Sequence, residues 1–218
     1  MSISRLYARR FDDRERLAKH DLWKTLCKAF LQKYVPPDSA VLDIGAGYCE
    51  FINNISAGRK YAVDPNEDAR GCADAEVKVF NGYSTDLSFL ADSSIDVVFM
   101  SNLLEHLPTK QDVAVTLSEA HRVLKPRGRL LLLQPNIRYL YKDYWDFFDH
   151  HIPLSDRSLA EALKMAGFSI EKLFSKFLPY TTKSGLPKKP FLLKIYLKVP
   201  FLWKLFGKQM FIVSRKDA

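Results

Sequence analysis

The chain is poor in cysteine. Its 218 residues include three, Cys27, Cys49 and Cys72. The number is odd and no Cys-x-x-Cys pair occurs. Neither a disulfide framework nor a structural zinc knot is expected, and a reducing cytoplasm is the natural setting. No uninterrupted apolar stretch reaches the roughly 20 residues that span a bilayer. No charged-then-apolar leader opens the sequence, so a secretory signal is not expected. Internal repeats and low-complexity tracts are also missing. What is present is 47% hydrophobic and 27% charged, which suits one globular domain with a sizeable core.

Acidic residues are scarce in one region only. Residues 1–170 carry 22 Lys and Arg against 23 Asp and Glu, whereas residues 171–218 carry 11 against two. The net charge of +8 therefore belongs to the C-terminal quarter, where any basic partner surface is expected.

Along the chain, residues 12–34 place Leu22, Leu26, Phe30 and Leu31 at helical spacing, and "VPPDS" stops that helix. "AVLDI", "KYAVD", "DVVFMS" and "RLLLLQ" read as buried strands, with "DVAVTLSEAHRVL" a helix ended by "KPRG". Strands apolar on both sides, alternating with helices, predict a mostly parallel sheet covered on both faces. Further on, "SDRSLAEALKMAGF" predicts a helix with Ser155 as N-cap and Gly167 at its end. "SIEKLFSKF" and "QMFIVSR" predict two more strands.

The loop after the first strand reads Asp43-Ile44-Gly45-Ala46-Gly47-Tyr48-Cys49. A dinucleotide turn would read G-x-G-x-x-G, and this one does not. In a doubly wound sheet such a loop borders the ligand crevice, and its glycines let backbone approach the ligand closely. Asp64 ends the second strand, where a carboxylate can accept both hydroxyls of a ribose. An adenosine-containing cofactor is expected.

In order, "VLDIGAG", "AVD", "DVVFMSNLLEHL" and "RVLKPRGRLLL" resemble the class I S-adenosylmethionine-dependent methyltransferases, over roughly residues 38–170. The resemblance implies a doubly wound, Rossmann-like, mostly parallel seven-stranded α/β sheet with helices on both faces. It implies S-adenosyl-L-methionine as cofactor and S-adenosylhomocysteine as product. By the same resemblance Asp43 lies near the methionine amino group beside Gly45, Ala46 and Gly47, and Asp64 with Pro65 takes the ribose. Tyr83 aligns where relatives often have an acid for the adenine amino group; Tyr83, Ser84 or the backbone is expected to make that contact. Ser101, Asn102 and Leu103 border the cofactor. The chain departs from the family pattern at Cys49, where a third glycine is common, and at Arg127, where "KPGG" is usual.

Methyl transfer is an in-line displacement, so much of the catalysis is positioning. An alcohol acceptor also needs a base. "SNLLEHLP" is not the [DN]-P-P-[YF] of amine methylation, and no Pro-Cys pair offers a nucleophile. Glu105 and His106 follow one turn after Leu103, and His106 is one candidate base; a histidine packing the next helix is the other reading. Tyr144, Asp149 and His150 in "YKDYWDFFDHHIP" form a second candidate group, against a reading as core and surface. No metal site is expected, because Asp149, His150 and His151 are adjacent and diverge, and no remote ligand is evident.

Residues 188–208, "KKPFLLKIYLKVPFLWKLFGK", alternate lysine with large apolar groups. Phe191, Leu192, Ile195, Tyr196 and Val199 are expected on one helical face. Two readings stand: an interfacial segment facing anionic lipid, or a helical insertion over the site. The expected organisation is an N-terminal helical cap, 1–37, and a methyltransferase domain, 38–218, with a basic amphipathic insertion at about 183–208. The expected activity is O-methylation of a small-molecule, saccharide or lipid-linked acceptor. It is placed in the cytoplasm or peripherally at a membrane's inner face. The alternatives are a nucleic-acid methyltransferase, disfavoured because the lysines mix with greasy residues, and a cofactor-binding homologue without turnover.

Overall fold

A computed structural model describes residues 13–180 and 189–217. Seven strands form one sheet in the order β3-β2-β1-β4-β5-β7-β6. β1 (Ala40–Ile44), β2 (Arg59–Asp64), β3 (Val77–Asn81), β4 (Ile95–Ser101) and β5 (Leu124–Pro135) run parallel. β7 (Gln209–Lys216) lies antiparallel between β5 and β6 (Phe168–Phe174). All five residues of β1 are buried, because the strand is central and covered on both faces. Strand order reverses at β1, so the loop following β1 and the loop following β4 open onto one crevice.

Two apolar layers hold helices to the two faces. On one lie α1 (Asp13–Ala29), α2 (Glu50–Asn54), α3 (Asp68–Cys72), α7 (Pro190–Lys198) and α8 (Pro200–Phe206). On the other lie α4 (Lys110–Val123) and α6 (Asp156–Met165), with the one-turn α5 (Ile137–Leu140) between them in the chain, directly after β5. Both α4 and α6 begin with capping boxes, Thr109 with Asp112 and Ser155 with Ser158, which satisfy amides that a bare helix start leaves open. Gly167, at φ +87°, turns the chain from α6 into β6.

The leading helix is shorter than its periodicity suggests. It stops at Ala29, and a 3₁₀ turn covers Leu31–Tyr34. Phe30 leaves helical geometry at φ −135° and enters an aromatic cluster with Phe177, Trp203 and Phe211. Burying such rings yields about 1.5–3 kcal/mol each, more than a further helical turn would contribute.

In the C-terminal segment, 181–188 lie outside the described residues. From Lys189 on, the predicted face requires correction at Tyr196. Tyr196 is buried with Leu197 and Trp203, and its hydroxyl donates to the Phe177 carbonyl. The outward face carries Phe191, Leu192, Ile195 and Val199 on α7, and Phe201, Leu205 and Phe206 on α8, with lysines interspersed. Proline at the first position of each helix explains why the segment breaks in two: Pro200 cannot continue α7. One polar knot ties β5, α6 and β6 together. There the Asp156 carboxylate accepts from Asn136, Arg138 and Ser175.

Candidate active site

The β1 loop survives its unusual sequence by backbone geometry. Gly45 and Gly47 have φ +73° and +54°, and Cys49 adopts φ +60° although it is not glycine. Its buried thiol donates to the Ala69 carbonyl, which holds the residue in the left-handed region. A Cβ on Gly45 would stand 2.9 Å from Leu103 Cδ1. The loops after β1 and β4 therefore touch, and the positive φ at Gly45 favours glycine there.

Asp64 fastens this loop from the side. Its Oδ2 accepts from the Gly47 amide at 2.7 Å and its Oδ1 from the Asn66 amide at 2.8 Å. Each oxygen keeps acceptor capacity. Asp43 is buried beneath, accepting from the Ile52 amide. Burial, and then the Asp64 charge, push the Asp43 carboxyl well above the usual range, and burial also raises Asp64. Two buried carboxylates under a glycine loop suit a ligand with a cationic group and a diol. Beside Asp64 opens a cleft of about 430 Å³, lined by Asn66, Glu67, Arg70, Val79 and Asn81 among others. Asn66 and Asn81 are polar lining residues that the motif reading did not single out; their place directly after β2 and at the end of β3 was the available signal. Pro65 sits between Asp64 and Asn66, and its carbonyl accepts from Asn81 at 3.5 Å. Tyr83 is 67% exposed and does not line that cleft. Ser84 is buried and hydrogen-bonded to Thr116 at 2.8 Å.

Across the crevice, Ser101 ends β4. Asn102 takes φ +48°, is held through its amide by the Leu133 carbonyl, and accepts from Gln209 Nε2 at 2.8 Å. Leu103 faces Gly45. Then a 3₁₀ turn, Leu104–His106, carries Glu105 inward and His106 to the partly open rim. The Glu105 carbonyl accepts from the amides of His151 at 2.7 Å and Ile152 at 3.2 Å, stitching this turn to the segment after β5.

That stitch brings His106, Tyr144, Asp149 and His150 together. His106 Nδ1 meets the Asp149 carbonyl at 2.9 Å and carboxylate at 3.2 Å, leaving Nε2 directed elsewhere, 4.0 Å from Glu105 Oε1. The His106 and His150 rings lie 5.0 Å apart. Tyr144 and Phe147 pack on His150 at 4.6 and 4.9 Å, and the Tyr144 hydroxyl donates to the Ile152 carbonyl. Trp145 and His151 face outward. Glu105 is only 2% exposed, and neither carboxylate oxygen has a hydrogen-bond partner. Burial pushes its carboxyl up to about 7. Against the downward push of burial, Asp149 and Glu105 raise His106. The remote partner of the Asp149–His151 segment, not evident from the sequence, is thus Glu105–His106.

A profile of the methyltransferase-domain family matches residues 14–173. No curated protein matches the chain. Among solved structures, it is similar to a SAM-dependent methyltransferase from Archaeoglobus fulgidus, with 23% identity over 90% of this chain and 94% of that one, at a TM-score of 0.67. It is also similar to a chain from the Haloferax volcanii complex of a methyltransferase with the Trm112 methyltransferase activator. That match has 19% identity, covers 95% of each chain and has a TM-score of 0.69. At these identities the likeness establishes the fold.

Proposed function

Because the chain belongs to the methyltransferase-domain family, whose cofactor is S-adenosylmethionine, we propose that it methylates an oxygen of an amphiphilic, lipid-linked or saccharide acceptor. When bound, the cofactor supplies a sulfonium methyl; its carbon–sulfur bond breaks, with the electron pair left on sulfur, as the acceptor oxygen bonds to carbon. Asp43 would take the methionine amino group, and Asp64, which holds the Gly47 amide, would accept from the ribose hydroxyls. Gly45, Ala46 and Gly47 supply close backbone. Asn66 and Asn81 join Asp64 along the nucleoside cleft, in preference to Tyr83. Ser101, Asn102 and Leu103 would form the floor of the cofactor site.

The observation that carries the reading is the convergence of Glu105, His106, Asp149 and His150 two residues beyond the Leu103–Gly45 contact. This group is well placed to receive the acceptor proton, with Asp149 orienting His106. Tyr144 positions His150 rather than reacting, since its hydroxyl is spent on a carbonyl. The acceptor's greasy part is suggested by α7 and α8. Phe191, Phe201 and Leu205 are 69%, 64% and 57% exposed among exposed lysines, a pattern suited to an anionic lipid interface. No helix among the described residues is long and apolar enough to cross a membrane.

Calorimetric titration with S-adenosylmethionine and S-adenosylhomocysteine tests the cofactor half. Micromolar binding is expected. Asp64→Ala should weaken it by roughly tenfold or more, as loss of a charged acceptor worth about 1.5–3 kcal/mol requires. Labelled methyl transfer into lipid and saccharide extracts tests the acceptor half. Folded protein that binds no cofactor would overturn the reading; binding without transfer to any extract would favour a non-catalytic role.

A further inference from the structure

Glu105, His106 and His150 each offer a ligand atom, and these atoms all lie within 4.8 Å of one another. A divalent cation with bonds of about 2.0–2.2 Å would draw its ligands to roughly 3–3.5 Å apart, a side-chain adjustment rather than a backbone one. Several independent features suit a cation here. The Glu105 carboxylate is buried with no hydrogen-bond partner on either oxygen, an arrangement that costs several kcal/mol unless an ion or proton compensates it. His106 is oriented from behind by Asp149 at Nδ1, so that Nε2 is the atom presented; carboxylate support of this kind is characteristic of metal-binding histidines. The His150 ring is fixed by stacking on Phe147. Finally, the two segments that supply the ligands are locked together by the two bonds to the Glu105 carbonyl.

We propose that Glu105, His106 and His150 form a site for one divalent transition-metal cation at the acceptor side of the crevice. Two imidazoles and one carboxylate favour a borderline ion such as Zn²⁺ over Mg²⁺ or Ca²⁺. Three protein ligands leave a coordination position open, and the acceptor oxygen is its natural occupant. This assignment rests on the reading of the cluster as the acceptor side. With the cation bound, His106 is a ligand and no longer the proton acceptor of the metal-free arrangement. The acceptor hydroxyl loses its proton to solvent because the cation lowers its pKa, and the oxygen then displaces the methyl group from sulfur.

The test is direct binding to chelator-stripped, refolding-competent full-length protein. Zn²⁺ is titrated by calorimetry and Co²⁺ by its visible d–d absorption, with Mg²⁺ as the comparison. One equivalent of Zn²⁺ and of Co²⁺ is expected. Glu105→Gln and His150→Asn should each cut affinity at least tenfold, and Asp149→Asn should cut it 10- to 100-fold through the orientation of His106, roughly as supporting residues do elsewhere. His151→Asn should leave it unchanged. No saturable binding by folded protein, or binding indifferent to Glu105→Gln and His150→Asn, overturns the assignment. Titrating the same stripped sample with S-adenosylmethionine separates the outcomes: cofactor binding with no metal binding refutes the metal site alone, whereas loss of both points to the methyltransferase reading or to the fold.

Discussion

On the proposed function, Asp43 is the residue where binding and stability oppose each other. Its carboxyl is raised by burial and by Asp64, so its ionised form disfavours the empty fold. The stability it allows is present below its unfolded pKa of about 3.9 and is lost as pH rises through the raised folded value. Asp43→Asn keeps an acceptor for Ile52 and removes that loss. The variant should melt about 2–4 °C higher than wild type at neutral pH, equivalent to ~1 kcal/mol in a chain of this size, and the gap should close in acid. Cofactor binding should move the other way. The amino group favours ionised Asp43, so wild-type affinity should fall with falling pH, and Asp43→Asn should bind weakly with a flatter pH profile. Thermal melts and calorimetry across pH check both. At this scale the ordered motifs made legible the gathering of Asp43, the glycines and Asp64 around one loop. Glu105 was harder to weigh, because a glutamate in "LLEHL" looks like any helix-face charge. What buries it is a segment that follows some 40 residues later, and local sequence carries no sign of that contact.

Among the elements, the first residues of β5, where its register against β4 shifts, carry an avoidable strain. Arg127 sits there at φ +65°, exposed, where Gly128 could not add a Cβ without approaching the Lys125 carbonyl to 2.8 Å. The turn is kept and its residue is merely unsuited to it. Arg127→Gly should stabilise the protein by about 0.5–1 kcal/mol, the left-handed penalty less the entropy of glycine in the unfolded chain. Arg127→Ala should not. Urea titrations with an unchanged slope would establish this. Strands and capped helices were legible because their periodicity is local. The end of α1 at Ala29 and the inward turn of Tyr196 were not, because the aromatic cluster of Phe30, Phe177, Trp203 and Phe211 assembles from four distant segments and overrides local period.

For the whole molecule, the uneven charge becomes a matter of orientation. Leu205 and Phe206, at the end of α8, share a cleft with Tyr141, Arg138, Lys176 and Lys208. In flotation with anionic vesicles, the triple change Phe191→Ser, Phe201→Ser and Leu205→Ser should reduce binding severalfold without lowering the melting temperature, and added salt should weaken wild-type binding. Unchanged flotation would remove the membrane from the acceptor reading. Deleting the helices is not an equivalent test. Trp203 and Leu197 belong to the core, and truncating a buried tryptophan alone costs about 3–5 kcal/mol.

The position of β7 has a consequence for how the molecule comes into being. During synthesis β6 emerges before its neighbour exists, since β7 lies between it and β5. Until Gln209–Lys216 appear, β5 presents an unpaired edge that includes Leu130–Leu133, a surface for a chaperone to shield. The first residue of that strand, Gln209, also bonds Asn102 at the crevice. The β4 loop, the proposed floor of the pocket, is thus among the last parts to be set, and a nascent chain still lacking β7 would have no finished site with which to engage an acceptor.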